Sequence, residues 1–358
     1  MFALLLLNFQ RKLTEEGPAK AFDYMFGFER SRLDSYRPTQ AETKEFIETL
    51  TSAIKLEAKG YLAPDRRLAL WQVSLYNDFP GEPYFQGIQP QVFAFQLALR
   101  IREPSLIDQK ELKICGENST MIWFAKERPT SFADYAISLM RAGEGHFFSL
   151  KVTPKDRSAW SLCANKISAA DFVTMCSLSI HFFGSLKEGS TADEVSDRLS
   201  KAGFLKVQNN SLVDALRAKR YQPLEDNLRN AAVAVAAKKL VMIFIQSEAV
   251  EFLRSLKIAK AQEVGFGNWK QANPALIRTS GDSLQPGRGF DAEALPPRAE
   301  LPPRMHWITV SRLSVQESSV TIKLYSWQHS VEGTLPLENF LTYYAGYVVA
   351  DPPSLLRG

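Results

Sequence analysis

The sequence predicts an α+β protein in two regions, an N-terminal α+β stretch over 1–104 and a larger domain over 105–358. Three observations predict it. A capping box, Thr39 with Glu42, opens a run in which Phe46, Leu50 and Ile54 recur at helical spacing. Phe93, Phe95, Leu97, Leu99 and Ile101 alternate with Ala94, Gln96, Ala98, Arg100 and Arg102, the period of a strand with one buried face. Near the C-terminus two β-prone runs, Trp307 to Val315 and Ser319 to Trp327, flank the polar turn Gln316-Glu317-Ser318. At 358 residues the chain exceeds the usual size of one compact domain.

In chain order, Phe2 to Leu7 is an apolar opening, expected as a buried helix or strand. It is too short to span a membrane and lacks the basic start and small-residue cleavage site of a secretory signal. The helix begun at Thr39 ends at Gly60. Leu68 to Leu75 is expected to pair with the strand at 93–101, with Asn77 to Pro90 as the connection. From Cys115 short helices follow. Met121 to Ala125 is apolar and stops before Pro129, and Phe132, Tyr135, Ala136 and Leu139 share a helix face closed by Gly143. Thr191 and Glu194 form a second capping box, for a helix that ends near Gly203. Asp226 to Leu240 is Ala-rich and helical, and Val241 to Ile245 reads as a buried strand. Residues 263–304 hold six prolines and five glycines, so they read as a long loop, of the kind that carries a gate or a processing site. Leu337 to Tyr344 is a short helix and Tyr347 to Ala350 a closing strand.

The net charge of +4, from 43 basic against 39 acidic residues, is weak and forms no basic runs, which argues against nucleic acid as a partner. Three cysteines, all between 115 and 176, form neither a disulfide framework nor a Cys-x-x-Cys metal site. No P-loop, dinucleotide-binding glycine pattern or carboxylate–histidine metal spacing is present, so neither a cofactor nor a metal is expected.

The chemistry centres on Cys115, at the start of a predicted helix. A helix N-terminus presents unpaired N–H groups and the positive end of the dipole, which favours thiolate over thiol. Gly116 allows the backbone to approach a substrate carbonyl, and the Cys115 amide with the Gln109 side chain, six residues earlier, would donate to the oxyanion. His306 opens an apolar strand with Ile308 and Val310 on its side, so its imidazole is expected to face inward as the general base. The residue that orients the imidazole is expected from the next strand, where Ser326 or Gln328 follows Val320, Ile322 and Leu324 on one face. Cys163 and Cys176 read as small buried hydrophobes, and His146 and His181, beside phenylalanine pairs, as core or boundary residues. His329 stands as a reserve base.

Cys115-Gly116-x-x-Ser119, followed by Pro129-x-x-Phe132-x-x-Tyr135-Ala136-x-x-Leu139-x-x-x-Gly143, resembles the nucleophile segment of papain-like folds in bacterial secreted effectors and peptidases. His306-Trp307-Ile308-x-Val310, then Tyr325-Ser326-Trp327, then Phe340-x-x-Tyr343-Tyr344-x-Gly346-Tyr347-Val348-Val349-Ala350, resembles the histidine segment and closing strand of the same group. The resemblance covers roughly 105–352, with the specific motifs at 115–145 and 306–350. Where the family's motif reads Asn-Ser-Trp-Gly, this chain has Tyr325-Ser326-Trp327-Gln328, so the orienting Asn is lost or shifted.

The resemblance implies a helical subdomain that carries the cysteine and an antiparallel β subdomain that carries the histidine. It implies thiol-dependent acyl transfer on a protein substrate, by cleavage or deamidation, in an effector or toxin acting in a host or competitor cell. Such a chain would be secreted without a cleaved signal peptide, or would stay in the cytoplasm, and would meet an inhibitor or chaperone of its own. Two rivals follow from the same residues: a catalytically inactive binding module, and a Cys–His cell-wall amidase.

Overall fold

The computed structural model describes residues 2–17, 64–110, 112–164, 166–213, 215, 219–247, 249–250, 305–326 and 329–353. The capping box at Thr39, the 263–304 connection and Gln328 lie outside them. The chain forms two compact units, one built from residues up to Val207, the other from Gln208–Ser326 and Ser330–Ala350. The division therefore falls at Val207, and residues 64–104 sit in the same unit as Cys115.

The first unit is helical. Helix α1 spans Phe2–Glu16, and Leu7 on it is exposed rather than buried as expected of the apolar opening. Helices α2 (Pro64–Asp78) and α3 (Pro90–Arg102) occupy the segments where a strand pair was expected. In α3 every residue from Val92 to Ile101 is buried, so apolar alternation says nothing about which face points to the core. Pro90 at the first turn and the Ala- and Leu-rich interior suit a helix. The two polar residues that α3 buries, Gln96 and Arg100, are four apart and so share one face. Gln96 Oε1 accepts from the Ala170 amide at 3.1 Å. Arg100 donates from Nε and Nη2 to Asp171 at 3.0 and 2.6 Å. This pairing ties α3 to the short helix Ala169–Asp171.

Helix α4 (Cys115–Glu127) is buried from Cys115 to Ala125 and turns directly into α5 (Pro129–Ala142), which starts on Pro129 and ends at Gly143 in the left-handed region. Trp123 and Phe124 enter an aromatic cluster with Phe147, Phe148 and Phe204, with ring centroids from 4.9 to 6.2 Å apart. Phe147 belongs to a small antiparallel hairpin, β1 (Gly145–Phe147) with β2 (Leu150–Val152). The Tyr135 hydroxyl donates to the Thr174 carbonyl at 2.9 Å inside a π-helical turn, Phe172–Cys176. Burial there pushes the Tyr135 phenol and the Cys176 thiol far above their ordinary values. Helix α6 (Ala192–Lys201) opens on the predicted capping box, in which Thr191 and Glu194 each bond the other's backbone amide.

The second unit is built on a sheet of order β3-β8-β4-β5-β6-β7. Its strands are β3 (Leu205–Ser211), β4 (Leu240–Gln246), β5 (Met305–Val315), β6 (Ser319–Ser326), β7 (His329–Pro336) and β8 (Tyr344–Asp351). The ladders β8–β4, β4–β5 and β5–β6 are antiparallel. Helix α7 (Tyr221–Ala236) buries Leu224, Leu228, Ala231 and Ala234 at helical spacing and packs on β4 and β5. Helix α8 (Leu337–Leu341) precedes β8. A bulge in β8 falls at Gly346, whose φ is +111°, and a Cβ there would meet the Asn210 carbonyl of β3 at 2.3 Å. Only glycine fits both the conformation and the approach.

Candidate functional site

Cys115 is the first residue of α4. Its N-cap, Ile114, supplies no side-chain cap, so the first-turn amides of α4 receive no bond from it. Tight turns lead into the helix: the Leu112 amide bonds the Gln109 carbonyl at 3.0 Å, and the Ile114 amide bonds Leu112 at 2.9 Å. Gln109 and Cys115 are each 7% exposed. Gln109 Oε1 is buried without a hydrogen-bond partner among the described residues, as are both amide atoms of Asn118. Asn118 is three residues beyond Cys115, on its side of the helix. Sequence reasoning passed over it, because Asn118 sits in the polar stretch Glu117-Asn118-Ser119-Thr120, where nothing marks a side chain as buried.

Gly116 has a different neighbourhood from the one expected. A Cβ there would lie 3.0 Å from Arg198 Nη2 and 3.0 Å from both Cβ and Oγ of Ser190, so its Cα faces the chain's own side chains rather than an open approach. Glu117, the third residue of α4, is fully buried and ion-paired to Arg198 Nη1 from α6. Ser190 Oγ donates to the other Glu117 oxygen at 3.3 Å. The Gly189 amide bonds the Lys113 carbonyl at 2.5 Å just before the helix. Glu117 and Arg198 are 81 residues apart, and the sequence reading did not connect them.

His306 lies in the second unit, near the start of β5, and is 4% exposed. Ile245 of β4 pairs with His306 on one side and Tyr344 on the other, so the three residues align across adjacent strands. The Tyr344 hydroxyl donates to Asn227 of α7 at 2.6 Å. The alternation that placed His306 inward does not distinguish the faces here, because Trp307 and Thr309 on the other face are also buried. Trp307 stacks on Phe244 with centroids 4.4 Å apart. Gln246, beside this row, is 2% exposed with Nε2 unpartnered among the described residues, a second buried amide that sequence reasoning missed. Of the expected orienting residues, Ser326 is the last residue of β6, one step past the Thr309–Tyr325 pair, and Gln328 lies outside the described residues.

The remaining candidates take structural places. Cys163 and Cys176 are buried, and burial is the first cause that pushes both thiols up. His146 is exposed, not core. His181 is half-buried and its Nδ1 accepts from the Thr153 amide at 3.2 Å. Burial lowers its pKa first, with Lys155 and Lys201 adding and the Thr153 contact opposing. Among the described residues, no group of three or more His, Cys, Asp or Glu is arranged to hold a metal ion, and no helix is long and apolar enough to cross a membrane.

No protein-family model, curated protein or solved structure matches this chain. What the molecule does is therefore read from its own residues: a cysteine at the head of a buried helix in one unit, and a buried histidine on an antiparallel sheet in the other.

Proposed function

We propose that the chain is a papain-like, thiol-dependent hydrolase in which Cys115 is the nucleophile and His306 the base. The observation that carries this reading is the position of Cys115 as the first residue of a thirteen-residue helix, where a thiolate meets the positive end of the dipole. A helical unit that holds the cysteine and a strand unit that holds the histidine support the reading. In the reaction, the imidazole takes the thiol proton and the sulfur attacks a substrate carbonyl carbon. The Cys115 amide and the Gln109 side chain hold the resulting oxyanion. Collapse expels an amine or ammonia that carries the proton from His306, and water then hydrolyses the thioester. Protein is the substrate class, cleaved or deamidated, and the setting is an effector acting in a target cell.

The test incubates the full chain with unfolded proteins and follows new amino termini and released ammonia. Wild type should produce one of the two, and Cys115→Ala and His306→Ala should abolish it. Product formation that survives Cys115→Ala would sink the reading.

One observation favours a second reading. Cys115 and His306 are both nearly closed to solvent, at 7% and 4%, which suits a papain-like module that binds without cleaving. In that case no variant changes product formation, and ligand capture is retained in Cys115→Ala.

A further inference from the structure

The first turn of α4 is gripped from one side by α6 and the loop before it. Gly189 holds the Lys113 carbonyl, Ser190 and Arg198 hold the two oxygens of Glu117, and Arg198 Nε donates to the Glu194 carbonyl at 3.2 Å. Arg198 is 5% exposed, yet its Nη2 has no hydrogen-bond partner among the described residues and sits over the Cα of Gly116, the residue after Cys115. A buried guanidinium nitrogen left without an acceptor is costly unless a negative charge develops beside it. Glu117 brings the opposite sign within two residues of the same sulfur. The groups facing Glu117 are Arg198 from α6, Ser190 from the preceding loop and Cys176 from the π-helical turn, whose neighbours include Asp171 and Cys163. The pair Lys113–Glu188 lies outside this nest, exposed on the loop.

We infer that Arg198 is a positioning residue for Cys115: it locks the first turn of α4 through Glu117, neutralises the Glu117 charge, and keeps its unshared Nη2 N–H groups against Gly116, next to the nucleophile in the chain. This deepens the cysteine-hydrolase reading and rests on it for the meaning of the thiol. The sign of the charge effect separates it from mere support. Loosening the clamp from either side would expose Cys115 in the same way, whereas charge acts in opposite directions from the two partners.

The experiment follows iodoacetamide labelling of Cys115 against pH, resolved by peptide mass, with Cys163 and Cys176 as buried references. Arg198→Gln should raise the labelling midpoint by about one pH unit, Glu117→Gln should lower it, and the double variant should return close to wild type. Shifts of the same sign in both single variants, or none in either, overturn the inference. If Arg198→Gln does not fold, Arg198→Lys replaces it: a near-wild-type midpoint with Lys, beside a lowered one in Glu117→Gln, supports the inference, and any other pattern overturns it. A His306→Ala arm keeps the two ideas apart. Labelling that responds to Arg198 and Glu117 but not to His306 removes the hydrolase reading and leaves the clamp standing.

Discussion

Among the described residues of the helical unit two buried arginine–carboxylate pairs stand out, and they are built differently. Arg100 is complete: Nε and Nη2 clasp Asp171, Nη2 also meets Ser168 Oγ at 3.0 Å, and Nη1 donates to the Gln96 carbonyl at 3.3 Å. Arg198 is incomplete. Nη1 meets Glu117 and Nε a helix carbonyl, while Nη2 stands over Gly116 without a partner among the described residues. A fully satisfied buried fork fixes one arrangement of the elements it joins. An unsatisfied one in the same interior costs stability, and such costs collect at functional positions. The contrast fits the Arg100 network as scaffold and the Arg198 network in the positioning role inferred for it.

The largest effect should come from the complete pair. Asp171→Ala leaves the Arg100 charge buried and alone, and should cost about 3–5 kcal/mol in denaturant unfolding. A loss under about 1 kcal/mol would erase the distinction between the two networks. Gly116→Ala comes next. Its methyl would press on Arg198 and Ser190, and overpacking of about 1–3 kcal/mol should outweigh the gain of about 1 kcal/mol from replacing a helical glycine. A net loss near 1 kcal/mol, read from thermal melts together with altered Cys115 labelling, would sharpen the comparison; a stabilised protein would contradict it.

Smaller again is Thr191→Ala, which removes one half of the α6 capping box and should cost about 1 kcal/mol. The smallest effect depends on pH. Burial alone would raise the Glu194 carboxyl, but hydrogen bonds from Lys187 and Thr191 and the Lys187 charge together hold it below its usual 4.5. Because the folded value is the lower one, the contribution of Glu194 is fully present above the ordinary glutamate range and is lost as pH falls through the folded value. Melting points of wild type and Glu194→Gln should therefore converge on acidification. A gap that stays constant across the acid range would show that the charged form of Glu194 adds nothing.

Much of the second unit was legible because its signals are local. The runs on either side of Gln316-Glu317-Ser318 became β5 and β6, and Val241 to Ile245 became β4. Thr191 and Glu194 marked the start of α6, and Gly143 the end of α5, because capping depends on residues three or four apart. Helix α3 was misread for a physical reason: a helix buried all round carries no amphipathic period, and its true signal was the spacing of Gln96 and Arg100. At the candidate site, the helix start placed Cys115. The Glu117–Arg198 contact joins positions that only the fold brings together, and the role of Gly116 changed with it. Asn118 and Gln246 were hidden because a buried amide and an exposed one look alike in sequence.

Thiol reactivity is the direct test of the proposed roles of Cys115 and His306. Iodoacetamide labelling of wild type and His306→Ala over a pH series, read separately for Cys115, Cys163 and Cys176, gives the answer. With Cys115 as nucleophile and His306 as base, Cys115 alone should react rapidly well below the ordinary cysteine value of about 8.5, and His306→Ala should remove this advantage. Slow labelling of Cys115 that is indifferent to His306 would contradict these roles and leave the binding module as the reading to pursue.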